Sequence, residues 1–262
     1  MKTLLICHDG AVLDQEVLAR WLSSFSELTG VVVIEEPVRR MWRRVRHEMK
    51  RIGIIRFFDI MAFRVYYRLF LQSGDKQWET QQVQTNCAKY PAIPASTPVL
   101  RAPSPNTPEV EDFIRRANPD LVLARCKTLL KERIFSIPGS GTFVMHPGIC
   151  PEYRNAHGCF WALANGDLDR VGMTLLRIDK GLDTGPPFGY YRYPFDELRE
   201  SHIVVQSRVV LENLDALREK LLDIFHGNAV VIDTSGRKSG VWGQPWLTKY
   251  LHWKSDAKRR AA

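Results

Sequence analysis

The sequence has few cysteines, and none of them are paired at the spacing of a metal site. Its five cysteines are an odd number and form no Cys-x-x-Cys pair. This argues against a disulfide framework and against a cysteine-rich zinc site. We therefore expect a cytoplasmic protein, and no residue that we can identify requires a metal.

Long apolar runs are also missing. The first run, at residues 3–7, is too short for the apolar part of a signal peptide and is followed by a charged turn. The apolar stretch 52–63 is interrupted by Arg56 and Asp59, so we do not expect it to span a membrane. It favours an amphipathic helix instead. We find no internal repeat and no low-complexity segment.

The composition is that of a globular protein, but the charge is uneven. Apolar residues make up 45% of the chain and charged residues 25%, and the net charge is +8. Between Arg39 and Arg56 there are eight basic residues and a single acid, Glu48. This basic segment is suited to the phosphates of RNA, of a nucleotide sugar or of a membrane surface, or it is a solvated helix face.

The order of apolar patterns indicates the fold class. Short β-branched runs at 3–7 and 31–34 flank a segment whose apolar residues recur at helical spacing. Two strands joined by a helix are typical of a right-handed parallel crossover. We therefore predict an α/β fold: an open, mostly parallel, twisted sheet of the Rossmann type flanked by helices, with a short C-terminal extension.

The middle of the chain continues this pattern. Prolines punctuate residues 91–108, where we expect no long helix. Thr107 followed by Pro108 is typical of a helix N-terminus, and that helix should continue to about Ala117. Further strands are predicted at 121–124, 141–145 and 171–178, and a single long helix at about 203–227.

Two turns rich in glycine and proline carry an imidazole and a carboxylate. His146 opens the sequence HPGICPEYRN, and Asp183 lies within DKGLDTGP. A histidine that titrates near neutrality, beside a carboxylate that orients it and relays a proton, is a general acid/base pair. Because both turns follow predicted strands, we expect the two side chains to lie at strand ends facing one cleft.

These turns resemble those of the folate-dependent formyltransferase family. Its members carry Asn-x-His-Pro-Ser-Leu-Leu-Pro-x-Tyr-Arg-Gly at the first place and Asp-x-Gly-x-Asp-Thr-Gly-Pro at the second. Residues 161–174 and the segment 119–130 are also similar, so the likeness covers about residues 118–192. The resemblance implies a formyltransferase core that moves a formyl group from N10-formyltetrahydrofolate to a primary amine.

The resemblance also implies roles for individual residues. In the family, the histidine stabilises the tetrahedral adduct formed when the amine attacks the formyl carbon, and the aspartate assists proton movement; here they would be His146 and Asp183. The aspartate turn wraps the pterin-like ring of folate, largely through backbone groups. The residues implied for folate are Thr128, Leu130, Asp179, Gly181 and Asp183. Those implied for the amine substrate are Tyr153, Arg154, Asn155 and His157.

Val144 departs from the family's pattern, which has asparagine two residues before the histidine. That asparagine donates a hydrogen bond to the developing oxyanion, and losing one such donor costs about 10²–10³ in rate. Three interpretations stay open. The chain is an active variant, it has recruited another donor such as Asn155 or His157, or it binds ligands without catalysing transfer.

We expect a catalytic core at 1–200, with a basic helical insertion at about 37–72. A C-terminal helix and a Trp-rich tail at 201–262 would pack on this core.

Residues 228–262 are too few for the separate β-barrel domain associated with initiator-tRNA formylation. This favours a small anionic amine, such as an amino sugar or a biosynthetic intermediate. A formyltetrahydrofolate hydrolase and a non-catalytic folate- or RNA-binding protein are the alternatives, and a homodimer is left open.

Overall fold

The computed structural model describes residues 1–37 and 52–262. Of the predicted basic segment, only the part from Ile52 onward lies among the described residues, and it includes Arg56. The first part of the predicted insertion at 37–72 lies outside them as well.

A twisted sheet forms the centre of the described part of the chain. Its strands, with a separate short pair, are β1 Lys2–His8, β2 Glu27–Ile34, β3 Val99–Ala102, β4 Leu121–Arg125, β5 Gly141–His146, β6 Arg154–Asn155, β7 Met173–Arg177, β8 Pro187–Tyr191 and β9 Val241–Trp242. The strand order in the main sheet is β3-β2-β1-β4-β5-β7-β8. Strands β1 to β5 pair in parallel, while β7 and β8 are antiparallel. The predicted α/β, mostly parallel sheet is confirmed.

Helices cover both faces of the sheet. They are α1 Ala19–Ser23, α2 Ile54–Tyr66, α3 Gln72–Lys89, α4 Pro108–Ala117, α5 Glu132–Phe135, α6 Gly158–Ala164, α7 His202–Leu211, α8 Leu214–Phe225 and α9 Leu247–Ala261. A π-helical turn, Tyr67–Leu71, joins α2 to α3. Buried residues alternate along β1 between two apolar clusters, because a parallel strand is covered on both faces.

The predicted start of α4 is confirmed. The Thr107 hydroxyl accepts a hydrogen bond from the backbone N–H of Val110 at 3.3 Å, and Pro108 occupies the first helical position. Proline is tolerated there because its missing N–H would have no partner in the helix. The helix ends at Ala117, where Asn118 adopts a left-handed conformation.

The prediction of one long helix at 203–227 is wrong. The chain forms α7 and α8, which are separated at Glu212 and Asn213. The Asn213 amide donates to the carbonyl oxygens of Val209 at 2.8 Å and Arg192 at 3.1 Å. A short polar side chain that bonds the backbone in this way competes with helical hydrogen bonding.

The expectation that both turns follow strands ending at the same edge needs correction. Strand β7 is antiparallel to β5, with His146 opposite Thr174 and Phe143 opposite Arg177. The carboxyl end of β7 therefore lies at the amino end of β5. The segment 178–186 turns back along β5, and this brings Asp183 to His146.

The helices α2, α6 and α9 share an aromatic cluster. The ring of Phe63 lies 5.3 Å from that of Tyr250 and 5.8 Å from that of Phe160, measured between centroids. Trp253 of α9 is buried in the same cluster. In the part of the chain that the structure describes, no helix is long and apolar enough to cross a lipid bilayer.

Candidate active site

His146 is the last residue of β5, and its ring contacts two loops. The residue is 3% exposed. Its Nε2 lies 2.8 Å from the carbonyl oxygen of Tyr153, and its Nδ1 lies 3.5 Å from Asp183 Oδ2. A carbonyl oxygen only accepts, so Nε2 donates in this bond. The neutral ring then presents the lone pair of Nδ1 to Asp183.

Asp183 is held in place by a bond to the loop after His146. Its Oδ2 accepts from the backbone N–H of Asn155 at 2.8 Å. Its own backbone is left-handed, with φ of 52°, and Asn155 and His157 are also left-handed. Residues in this sparsely populated region cost about 1–3 kcal/mol and cluster at functional sites. The side chain of Asp183 is 17% exposed, so it is the more accessible member of the pair.

Two glycines bring the loop close to His146. A Cβ on Gly148 would lie 2.6 Å from the Tyr153 carbonyl oxygen and 2.9 Å from the Cα of Gly158. A Cβ on Gly158 would lie 2.6 Å from the Cα of Gly148. Contacts this short do not occur between a Cβ and backbone atoms. The contact therefore requires glycine at both positions.

Thr174 and Arg125 fix the backbone on either side of His146. The Thr174 hydroxyl donates to Gly148 O at 2.6 Å and accepts from the Cys150 N–H at 3.0 Å. The Arg125 guanidinium donates to Met145 O at 2.7 Å. Sequence reasoning missed both roles. Thr174 belongs to a block that resembles the family, which was the available signal, whereas Arg125 carried none.

Three of the residues expected to hold folate lie on one turn, a fourth lies in an apolar cluster, and Thr128 lies in neither. The carboxylate of Asp179 accepts from the Gly181 N–H at 2.9 Å and from the Thr184 hydroxyl at 2.8 Å. Because both bonds lie inside the turn, the Asp179 carboxylate shapes the turn. The groups that the turn can offer to a ligand are then those of its backbone. Leu130 is buried in a cluster against which Ile178, just before the turn, also packs. Thr128 is half-buried, and its carbonyl accepts from the Cys126 thiol at 3.4 Å.

The structure separates the residues expected to contact the amine. Tyr153 is 4% exposed, its hydroxyl donates to Asp167 Oδ2 at 2.9 Å and its ring stacks on Trp242. Its side chain therefore lies in the core, and only its carbonyl group reaches His146. An aromatic ring next to a glycine-rich turn packs where burial is greatest, and the assignment of Tyr153 to the amine stays a prediction.

Arg154 and Asn155 tie the two turns together. Arg154 Nη1 donates to the carbonyl of Leu182 at 3.1 Å, and the side-chain amide of Asn155 donates to the carbonyl of Trp242. The amide of Asn155 is thus engaged away from His146. Among the described residues, the buried Nε of Arg154 has no hydrogen-bond partner.

His157 is half-buried, and its ring centroid lies 5.7 Å from that of His202. Burial, followed by the charges of Lys127 and Arg64, lowers the pKa of His157 to about 4. Burial also lowers the pKa of His202 well below its usual value. Both rings are therefore neutral at pH 7, and within the described chain the Nδ1 atom of each is buried without a hydrogen-bond partner.

A family model described as formyl transferase matches residues 71–219, which is more than half of the chain and includes both turns. The chain belongs to the formyl transferase family.

The methionyl-tRNA formyltransferase of Thermotoga neapolitana is one relative of this formyl transferase. It is 33% identical over 131 residues, which cover 46% of this chain and 40% of the relative. The enzyme of the same name from Caldanaerobacter subterraneus subsp. tengcongensis is 27% identical over 207 residues, covering 77% and 64%. The chain thus spans less than two thirds of the length of these relatives.

Solved structures support the same fold. A 4-N formyltransferase from Francisella tularensis has a TM-score of 0.55 at 11% identity, covering 98% of this chain and 87% of that one. A phosphoribosylglycinamide formyltransferase from Anaplasma phagocytophilum has a TM-score of 0.54 at 15% identity, covering 94% and 99%. At such identities the likeness shows the fold alone.

Val144, where this family member departs from the pattern, lies on β5 opposite Leu176. It is half-buried and, two residues before His146, lies on the same face of the sheet. A valine side chain has no hydrogen-bond donor. Of the replacement donors predicted from the sequence, Asn155 is engaged with Trp242, whereas the Nδ1 of His157 has no partner in the described chain.

No thiol near His146 is suited to be a nucleophile. All five cysteines are free, and Cys150 is buried beside the histidine turn. Burial raises the pKa of Cys150 and raises that of Cys159 to about 12. Because the thiolate is the reactive form, both are inert at neutral pH. Within residues 1–37 and 52–262, no cluster of His, Cys, Asp or Glu is arranged to hold a metal ion.

The C-terminal segment contacts the site loop, which sequence reasoning did not anticipate. Strand β9 pairs in parallel with β6, and Trp242 Nε1 donates to the carbonyl of Glu152 at 2.8 Å. The Trp242 ring is stacked between those of Tyr153 and Trp161, with centroids 5.6 Å and 4.9 Å away. Arg237 donates to both carboxylate oxygens of Glu152. These contacts fix the loop that carries Asn155.

Proposed function

We propose that this chain transfers a formyl group from N10-formyltetrahydrofolate to a primary amine of a small anionic acceptor. The observation that carries the proposal is the approach of His146 Nδ1 to Asp183 Oδ2, at 3.5 Å, within the part of the chain that matches the formyl transferase family. His146 and Asp183 are its catalytic residues.

The reaction needs one proton to be moved. The amine nitrogen bonds to the formyl carbon, the bond between that carbon and N10 breaks, and a proton leaves the amine while N10 gains one. Asp183 is the more exposed group and relays the proton from the amine, directly or through water, to Nδ1 of His146. His146 keeps its Nε2–H on the Tyr153 carbonyl, and the imidazolium is stabilised by the ionised Asp183 carboxylate until the same proton passes to N10 as the bond from the formyl carbon breaks.

The formyl donor would lie against the turn 179–183. Asp179 closes this turn from within, so its backbone groups are the surface offered to a flat ring. Leu130 and Ile178 belong to one apolar cluster beside it and provide an apolar boundary. Thr128, Leu130, Asp179, Gly181 and Asp183 remain the proposed donor-binding residues.

A formyl-transfer assay with an amine panel tests the proposal. The purified chain is incubated with N10-formyltetrahydrofolate and phosphorylated and unphosphorylated amines, and formylated product is measured by mass spectrometry. We expect product with at least one phosphorylated amine and a loss of 10²-fold or more in Asp183→Asn, since a general acid/base contributes about 10²–10⁴. Asparagine tolerates the left-handed backbone at this position. Asp215→Asn, at an exposed position, is the matched control.

Val144 is the observation that favours a second class of function. Without the donor at this position, the same cleft would serve a hydrolase or a folate- or RNA-binding protein without turnover. Formate released in the absence of any amine would indicate the hydrolase. Saturable folate binding with no product would indicate the binding protein, and RNA affinity that falls steeply with salt would indicate the RNA-binding version.

A further inference from the structure

A cavity of about 530 Å³ lies next to the catalytic loop. It is bounded by α2, the π-helical turn 67–71 and α3 on one side, and by His157, His202 and the segment Gln244–Pro245 on the other. Its volume is within the usual range for small-molecule sites, about 300–1,000 Å³. The wall that contains His157 adjoins the catalytic pair. His157 lies two residues after Asn155, and the backbone N–H of Asn155 donates a hydrogen bond to Asp183.

The rim of the cavity is positively charged. Arg64 and Arg68 are four residues apart on a continuous helical segment, and Lys76 lies on α3. Among the described residues, neither arginine has a carboxylate within ion-pair distance, and Lys76 interacts electrostatically with Glu79, one turn further along α3. The nearest acid along the chain, Asp75, accepts hydrogen bonds from Tyr67 and Ser201 and does not line the cavity. These three cations, two of them without a carboxylate partner in the described part of the chain, create a positive potential at its entrance.

The floor of the cavity holds polar atoms that lack partners. His202 is 2% exposed and lies among the rings of Phe63, Tyr67, Phe160 and His157. Within the described chain, the Nδ1 atoms of His202 and His157 have no hydrogen-bond partner. A buried polar atom left unpaired costs about 1–3 kcal/mol, so a ligand that pairs with it is favoured. The low pKa of His157 has the same origin: burial and the charge of Arg64 oppose an added proton.

We infer that this cavity binds a phosphate or diphosphate group of the acceptor. Oxygen atoms of such a group accept hydrogen bonds from guanidinium, ammonium and imidazole N–H groups, and its negative charge compensates Arg64, Arg68 and Lys76. The inference rests on the proposed function, because it assigns the anionic part of that function's acceptor. It places this part beside His157, with the amine directed toward Asp183.

Binding of pyrophosphate and inorganic phosphate to the full chain tests the inference without any turnover. Calorimetric titration at constant ionic strength should give saturable binding, stronger for pyrophosphate if a diphosphate is the natural group. The Arg64→Gln/Arg68→Gln double variant should weaken it roughly 10-fold or more, as expected for lost charge-assisted contacts. The control is Arg115→Gln/Arg116→Gln on α4, which removes the same charge from exposed positions that do not line the cavity and should leave affinity unchanged.

A second measurement reports on the imidazoles directly. In ¹⁵N-labelled protein, the ring nitrogens of His157 and His202 should shift on titration with pyrophosphate, while those of exposed His226 should not. Equal loss of affinity in both double variants, or unshifted His157 and His202 signals, would overturn the inference. Binding of a tetrahydrofolate analogue, and its dependence on Asp183, is measured separately, so a failure of the proposed function is distinguishable from a failure of the phosphate site.

Discussion

Each ring nitrogen of His146 faces a group that only accepts hydrogen bonds. One group is a backbone carbonyl, and the other is an ionised carboxylate. The Tyr153 carbonyl fixes Nε2 as the protonated atom, and the Asp183 carboxylate faces Nδ1. The neutral ring therefore has one satisfied and one unsatisfied contact, and a proton on Nδ1 satisfies both. At the scale of the residue, His146 is held between the two turns by one group at each ring nitrogen.

Restoring the donor at position 144 should raise the rate. We expect Val144→Asn to increase formyl transfer by about 10²–10³, the factor lost when one oxyanion donor is removed. Steady-state assays of the two forms measure this. Val144→Ala, which removes bulk without adding a donor, is the control. Equal turnover in all three forms would contradict the oxyanion explanation for this position.

The neutral state of His157 predicts a pH dependence of stability. Its folded pKa, about 4, lies below its unfolded value of about 6.5, so the unfolded chain binds more protons between these values. Its contribution is therefore complete above pH 6.5 and is lost as the pH falls through 4, by an amount on the order of 1–3 kcal/mol. Urea unfolding at pH 7 and pH 5 should show a smaller difference for His157→Asn than for the wild type.

Asparagine is chosen at position 157 because it tolerates the left-handed backbone there. The control is His226→Asn, which changes an exposed histidine at the end of α8. If the pH dependence of the free energy of unfolding falls equally in His226→Asn and His157→Asn, the effect does not come from the buried ring of His157.

At the scale of elements, the contact between the histidine turn and the start of α6 depends on two glycines. We expect Gly148→Ala to destabilise the fold by about 1–3 kcal/mol, the usual cost of overpacking, and to lower activity by moving the Tyr153 carbonyl. Gly74→Ala on α3 meets no atom within 4 Å and should stabilise by up to about 1 kcal/mol. Thermal unfolding of both variants checks the opposite signs, and a common sign would contradict the argument.

Local signals determined which elements could be predicted. Short apolar runs identified β1, β2, β4 and β5, and Thr107 with Pro108 fixed the start of α4. The direction of β7 was not predictable, because an apolar run reads the same in either orientation and pairing depends on distant residues. The end of the helix near Asn213 could not be predicted for a related reason. The apolar stripe continues past this residue, while the hydrogen bond from the Asn213 side-chain amide that helps to end the helix goes to the carbonyl of Arg192.

The candidate site was predictable to a similar extent. His146 and Asp183 are conspicuous in their turns, and the structure brings them together. The burial of Tyr153 could not be predicted, because it depends on Trp242 and Asp167, which no local pattern reveals. The cavity between α3, His157 and His202 could not be anticipated, since its walls come from four segments, each more than 40 residues from the next along the chain.

At the scale of the whole molecule, the C-terminal tail supports a site that lies between His146 and Asp183 in the sequence. Trp242 stacks between Tyr153 and Trp161, and α9 packs on α2 and α6. We retain the proposal of a core at 1–200 with a tail at 201–262, and these contacts mean that the tail bears directly on the site loop.

Removing the Trp242 ring should therefore affect both stability and catalysis. We expect Trp242→Ala to lower the free energy of unfolding by about 3 kcal/mol and to lower formyl transfer as well. Trp242→Phe keeps an aromatic surface but loses the bond from Nε1 to Glu152, at a cost of about 1 kcal/mol. Denaturant unfolding and assays of both variants measure this. An alanine variant with full activity would show that the tail does not position the loop.

The left-handed backbones of Asn155, His157 and Asp183 also limit how this site can change. Few residues other than glycine, asparagine and aspartate adopt such φ values without a penalty, and β-branched residues are the most disfavoured. Most substitutions at these positions would therefore lose folding stability as well as chemistry. Only a few residue types can replace these three during evolution. Descendants that lose catalysis would therefore keep the backbone conformation of these loops long after their side chains had changed.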